Sequence, residues 1–318
     1  MSKTKKWLIA AAALVVSGAL LFVGIMTGLK WDFLKLSTVQ YERNSYDIQE
    51  EFQSISIIGN TSDITFIATQ DEMASVFCYE AANARHSVSV ENGTLIIAQA
   101  DQQNWYNNIG INLHDPDIKV YLPQTQYVSL LISESTGDIE IPADFSFDSM
   151  DISLSTGDVK TLASAGQMKI KTTTGSIQIE NISTNEASFT ASTGKITVRS
   201  VACQGDLQMR VSTGDISLTD VVCDQLVSTG NTGDISLKNV HANQQFTIER
   251  TTGDVTFENC DAGAITVTTG TGDVTGNLLS EKIFIATTNT GDVDVPQTGS
   301  GGICEITTNT GDITITVN

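Results

Sequence analysis

The stretch "VSTGDISL", residues 211–218, reads in isolation as a turn between two short strands, but the chain writes it again and again. Thr-Gly, mostly followed by Asp and then Ile or Val, recurs with its glycine at Gly137, Gly157, Gly175, Gly194, Gly214, Gly233, Gly253, Gly272, Gly291 and Gly311. Successive glycines stand 20, 18, 19, 20, 19, 20, 19, 19 and 20 residues apart, a period at the short edge of solenoid repeats. Each unit runs Gly, Asp, an aliphatic, any residue and an apolar residue, as in Gly233-Asp234-Ile235-Ser236-Leu237, and a second alternating pair such as Phe246 and Ile248 precedes the next glycine. Alternation of this kind marks strands with one buried face. Each unit is therefore expected to supply two short strands and two corners.

One such unit cannot bury its apolar side alone, so units must stack and equivalent positions must form ladders. One ladder is Ile139, Val159, Ile177, Ile196, Ile216, Ile235, Val255, Val274, Val293 and Ile313, every member a β-branched aliphatic. The expected fold is all-β: a single-stranded β-solenoid of about ten coils of 19–20 residues over residues 128–318. Glycine suits the corner because a positive φ carries no penalty without a Cβ. Thr before it suits a strand edge, and Asp after it can bond local amides.

Upstream, residues 48–127 keep β composition and lose the period, as expected of an N-terminal cap. "FQSISIIGNTSDITFIA" is a degenerate coil with Ser62 in the glycine's place, and "HSVSVENGTLIIAQA" is a hairpin. The polar loop "DQQNWYNNIGINLHDPD" offers Trp105 and Tyr106 as candidate glycan contacts, since aromatic faces beside amides suit sugars.

The N-terminus is a different material. After a stub of residues 1–7, Leu8 to Leu29 run without a charge, enough to cross a hydrocarbon core of roughly 30 Å. Lys3, Lys5 and Lys6 precede this span, and Trp7 and Trp31 flank it. The positive-inside tendency then holds the N-terminus in the cytoplasm and sends the C-terminal domain outside the cell membrane, through a linker at 30–47. The span exceeds the apolar region of a cleaved signal peptide. Setting aside the five bases and one acid in residues 1–35 leaves 12 bases against 36 acids. That disfavours nucleic acid as a partner.

"IKVYLP" at 118–123, the "NGTLII" element before it and the run of "TGDI" and "TGDV" corners resemble the bacterial "putative adhesin" domain family of unknown function, over roughly residues 48–318. The resemblance implies an all-β, solenoid-like domain attached to a bacterial membrane, with adhesion as its role. It brings no catalytic residues to transfer. Ser176 and Lys195 depart from the Asp of the corner pattern.

Nothing in the chain recommends an enzyme: HExxH, P-loop and paired CxxC motifs are absent, and His86, His114 and His241 are far apart in sequence. No cofactor is implied. Lys160, Lys169, Lys171, Lys195, Arg199 and Arg210 cluster in sequence, which leaves a polysaccharide-acting β-helix as the alternative. The bland explanation is charge balance on a solvated face. The expected function is a membrane-anchored, non-enzymatic surface protein contacting a cell-surface glycan or envelope protein. A signalling component that binds a partner protein has the same sequence signature.

Two further expectations concern stacking. Cys203 and Cys223 should lie in adjacent coils as a buried thiol pair, with all five cysteines free. Asp215, Asp234, Asp254, Asp273, Asp292 and Asp312 follow consecutive corner glycines and should form a file of carboxylates about 5 Å apart. Their repulsion, about 1 kcal/mol per pair in water, must be offset by turn amides or by calcium, for which they are the candidate ligands.

Overall fold

A strand with one apolar face buries it most simply against copies of itself, and the repeats do so in parallel register. In a computed structural model, which describes residues 3–33, 39–99 and 116–318, one helix, Lys3–Gly28, precedes 24 strands among the described residues, joined in one continuous sheet. The strands wind into a solenoid of about nine turns. Ile196 pairs with Ile216, Ile216 with Ile235 and Ile235 with Val255. Of the ten ladder residues, all but Val293 are 0–1% exposed.

Each central coil has three bends rather than the two corners expected from the alternation. The second bend is a left-handed residue six positions after the glycine: Asn181 (φ 56°), Ser200 (53°), Asp220 (56°), Asn239 (51°) and Asn259 (53°). It breaks the strand's parity. Leu218 and Val221 both point inward across Asp220 although they are three residues apart, because one residue with reversed φ turns the chain by an odd step. Asn and Asp tolerate this conformation better than other residues with a side chain. The third bend absorbs the variation in repeat length. Register between adjacent coils shifts there, between Cys223 and Gln225 and again between Ala242 and Gln245.

At both ends, coil order in space departs from coil order in sequence. Ser54–Ile58 lies between Thr94–Gln99 and Gln126–Thr136, parallel to both. Asp63–Thr69 lies likewise between Asp117–Pro123 and Ile139–Ile141. Ser62 stands beneath Gly137 as a corner residue, with its carbonyl oxygen 2.0 Å from where a Gly137 Cβ would sit. At the other end, Gly302–Thr310 is inserted between Val255–Thr271 and Lys282–Thr290. The ladder therefore runs Val274, Ile313, Val293 instead of following the sequence. Val293 is 44% exposed because its coil is the outermost layer.

The remaining cap strands are antiparallel. Tyr41–Ile48 pairs with Ala74–Ala81, which pairs with Asp117–Pro123. His86–Glu91 and Thr94–Gln99 form the expected hairpin around Asn92 and Gly93, both at positive φ.

Candidate functional site

The repeated corner is built from backbone. The ten corner glycines have φ between 125° and 152°, and a Cβ on any of them would stand 1.9–2.2 Å from the carbonyl oxygen of the corner residue stacked against it. Every Asp of the file except the outermost, Asp292, hands its carboxylate to the next coil. The amide of Asp234 donates to Asp215, that of Asp254 to Asp234, that of Asp273 to Asp254, that of Asp312 to Asp273 and that of Asp292 to Asp312, at 2.8–3.1 Å. A second, separate run links Asp63, Asp138, Asp158 and the Ser176 amide. Anionic acceptors on amide donors make strong hydrogen bonds, which offsets repulsion along the file. Calcium and magnesium at equal millimolar concentration should therefore shift the melting temperature of the detergent-solubilised chain alike. A calcium-specific rise that Asp254→Asn with Asp273→Asn erases would instead place calcium on the ladder.

Three of the six bases of the cluster pair across coils. Lys160 meets Glu140 at 3.0 Å, Lys169 meets Asp151 at 3.2 Å and Arg199 meets Glu180 at 3.1 Å, each acid lying one coil earlier. The five cysteines are free and buried. Burial pushes the Cys223 thiol up to about 12, with Cys203 beside it adding to the shift. Trp105, Tyr106 and His114 lie outside the described residues.

Three interior polar groups carry no repeat signature. Arg250 occupies a core ladder position at 4% exposure and donates from Nη1 to the Val211 carbonyl at 3.1 Å. It fits because the intervening residue is Gly230, whose missing Cβ would stand 1.7 Å from that Nη1. Glu134 is 4% exposed, and burial pushes its carboxyl up to about 8, with the Ser62 and Gly59 amides only partly offsetting the shift. Lys282, at 3%, bonds Asp261 at 2.6 Å and also Ser280. Burial opposes ionisation of Asp261, but the hydrogen bonds from Lys282 and Ser280 outweigh it and hold the carboxyl below its usual range. These residues border a cavity of about 580 Å³ with His241 and Ser300. The contact ties Lys282 to Asp261 of the preceding coil. A second cavity, about 630 Å³, opens at the cap beside Phe52, Met73, Tyr127 and Val128.

Fold and helix together define a class: a β-solenoid stacked through glycine corners, joined to a helix long and apolar enough to cross a membrane. The chain belongs to the Toastrack DUF4097 family, whose pattern matches residues 52–210 and 204–318. No curated protein matches it. Among solved structures, it is similar to a "Putative lipid binding protein" from Parabacteroides distasonis ATCC 8503, at 18% identity and TM-score 0.48, over 75% of this chain and 97% of that one. It is also similar to a "putative adhesin" from Bacteroides fragilis NCTC 9343, at 16% identity and TM-score 0.37, over 86% and 97%. A "putative adhesin" from Parabacteroides distasonis ATCC 8503 is similar at 11% identity and TM-score 0.42, over 85% and 98%.

Proposed function

We propose that the chain is a membrane-anchored surface protein that presents a non-enzymatic β-solenoid outside the cell, where it contacts a cell-surface glycan or an envelope protein. The observation that carries this reading is the helix Thr4–Gly28, whose apolar window has mean hydropathy 2.6 and no residue buried against the protein. A helix apolar all round needs an apolar solvent. The lysines before it support an inside N-terminus. The acidic outer chain supports a partner other than anionic lipid or nucleic acid, and Trp105 and Tyr106 are the candidates for sugar stacking.

Protease added to intact protoplasts should remove the C-terminal bulk and leave a membrane-embedded N-terminal fragment. Full protection, or a mature N-terminus near residue 30, would sink the anchored topology. Crosslinking in intact cells should recover a glycan or an envelope protein. Polysaccharide turnover by the purified chain, lost on changing Lys195 and neighbouring acids, would replace this reading with the enzymatic one.

A further inference from the structure

The strand Ala74–Ala81 points Ala74, Val76, Cys78 and Glu80 inward, so a thiol and a carboxylate two residues apart project from one face of the cap. His86, the first residue of the hairpin, closes over them. All three are buried, with Cys78 at 0%, Glu80 at 1% and His86 at 5% exposure. Their ligating atoms lie within 4.8 Å of one another, the one such group of Cys, His and acidic side chains found among the described residues.

The imidazole is held in place. His86 Nδ1 lies 2.7 Å from Glu80 Oε2, which also accepts the His86 backbone amide at 2.6 Å. Asn44 donates to the other Glu80 oxygen at 2.5 Å, and the Tyr46 hydroxyl donates to the His86 carbonyl at 3.1 Å. The remaining ring nitrogen, Nε2, is buried without a hydrogen-bond partner. His86 Nδ1 and Glu80 Oε2 are close enough to be neighbouring ligands of one ion, which would take the place of the proton between them.

We propose that Cys78, Glu80 and His86 form a binding site for one divalent ion of the borderline class, with zinc the best match. Thiolate and imidazole donors favour zinc over calcium and magnesium, which take oxygen ligands. The ion would tie the hairpin to the antiparallel cap, a structural role independent of the surface reading above.

The test loads metal-stripped full-length chain in detergent with zinc or cobalt(II). One zinc per chain should survive gel filtration, and cobalt should give the thiolate charge-transfer band. Both should be lost in Cys78→Ser and His86→Gln and kept in Cys203→Ser. Should the first two variants fail to fold, X-ray absorption of the zinc-loaded wild type decides, since the proposal requires sulfur in the zinc shell. No retained zinc, a shell without sulfur, or a cobalt band that persists in folded Cys78→Ser overturns it.

Discussion

Replacing Gly214 by alanine is expected to destabilise the full-length chain by about 3 kcal/mol or more. Gly214 has φ 133°, a conformation that side chains rarely adopt. Its new Cβ would stand 1.9 Å from the Gly194 carbonyl oxygen and 2.8 Å from the carbonyl carbon. Both are backbone, so no flexible side chain can move aside. Shifting the strand would break the bonds from Gly214 to Thr232 at 2.8 Å and from Gly194 to Thr213 at 3.0 Å. Because each coil contacts only its neighbours, hydrogen exchange should quicken first around residues 194–233. Gly299, where an added Cβ meets nothing within 4 Å, is the control: its alanine variant should stay within about 0.5 kcal/mol of wild type. Equal urea midpoints for the two variants would show that close stacking does not dictate the corner residue.

Glu134→Gln is expected to stabilise the chain at and above pH 8, by an amount on the order of a few kcal/mol, with the gain vanishing in acid. The native carboxyl keeps its proton up to about 8, whereas an unperturbed glutamate releases it near 4.5. Between those values the native state binds more protons than the unfolded state, so stability falls as pH rises through the window and levels off above it. Glutamine keeps the shape and removes the ionisation. Urea midpoints across the window should slope less in the variant than in wild type. Parallel slopes would mean that Glu134 is solvated or paired in the native protein.

Much of the fold was legible because it is local. The Thr-Gly-Asp corner reflects backbone sterics within one coil and against the next, and the β-branched ladder from Ile139 to Ile313 shows which face is buried. Ser62 and the Asn92-Gly93 hairpin could be read for the same reason. The bend at Asn181, Ser200, Asp220, Asn239 and Asn259 left a signal in the sequence too, a turn-tolerant residue six places after five of the ten corner glycines. It was masked because the parity change there makes the alternation look like two strands.

Other features belong to tertiary structure alone. The pairing of Arg250 with the space over Gly230 joins residues 20 apart that are individually unremarkable, and only their stacking makes a buried guanidinium tolerable. Cys78, Glu80 and His86 meet because an antiparallel cap folds a hairpin over a strand, which no spacing rule conveys. Sequence by itself determined the period, the corner chemistry and the buried face, since these depend on neighbours along the chain and on an identical neighbour in the next coil. It did not determine the order of the end coils. Every coil presents nearly the same ladder of residues, so Gly302–Thr310 matches more than one neighbour in pattern, and only the tertiary structure shows that it lies between Val255–Thr271 and Lys282–Thr290.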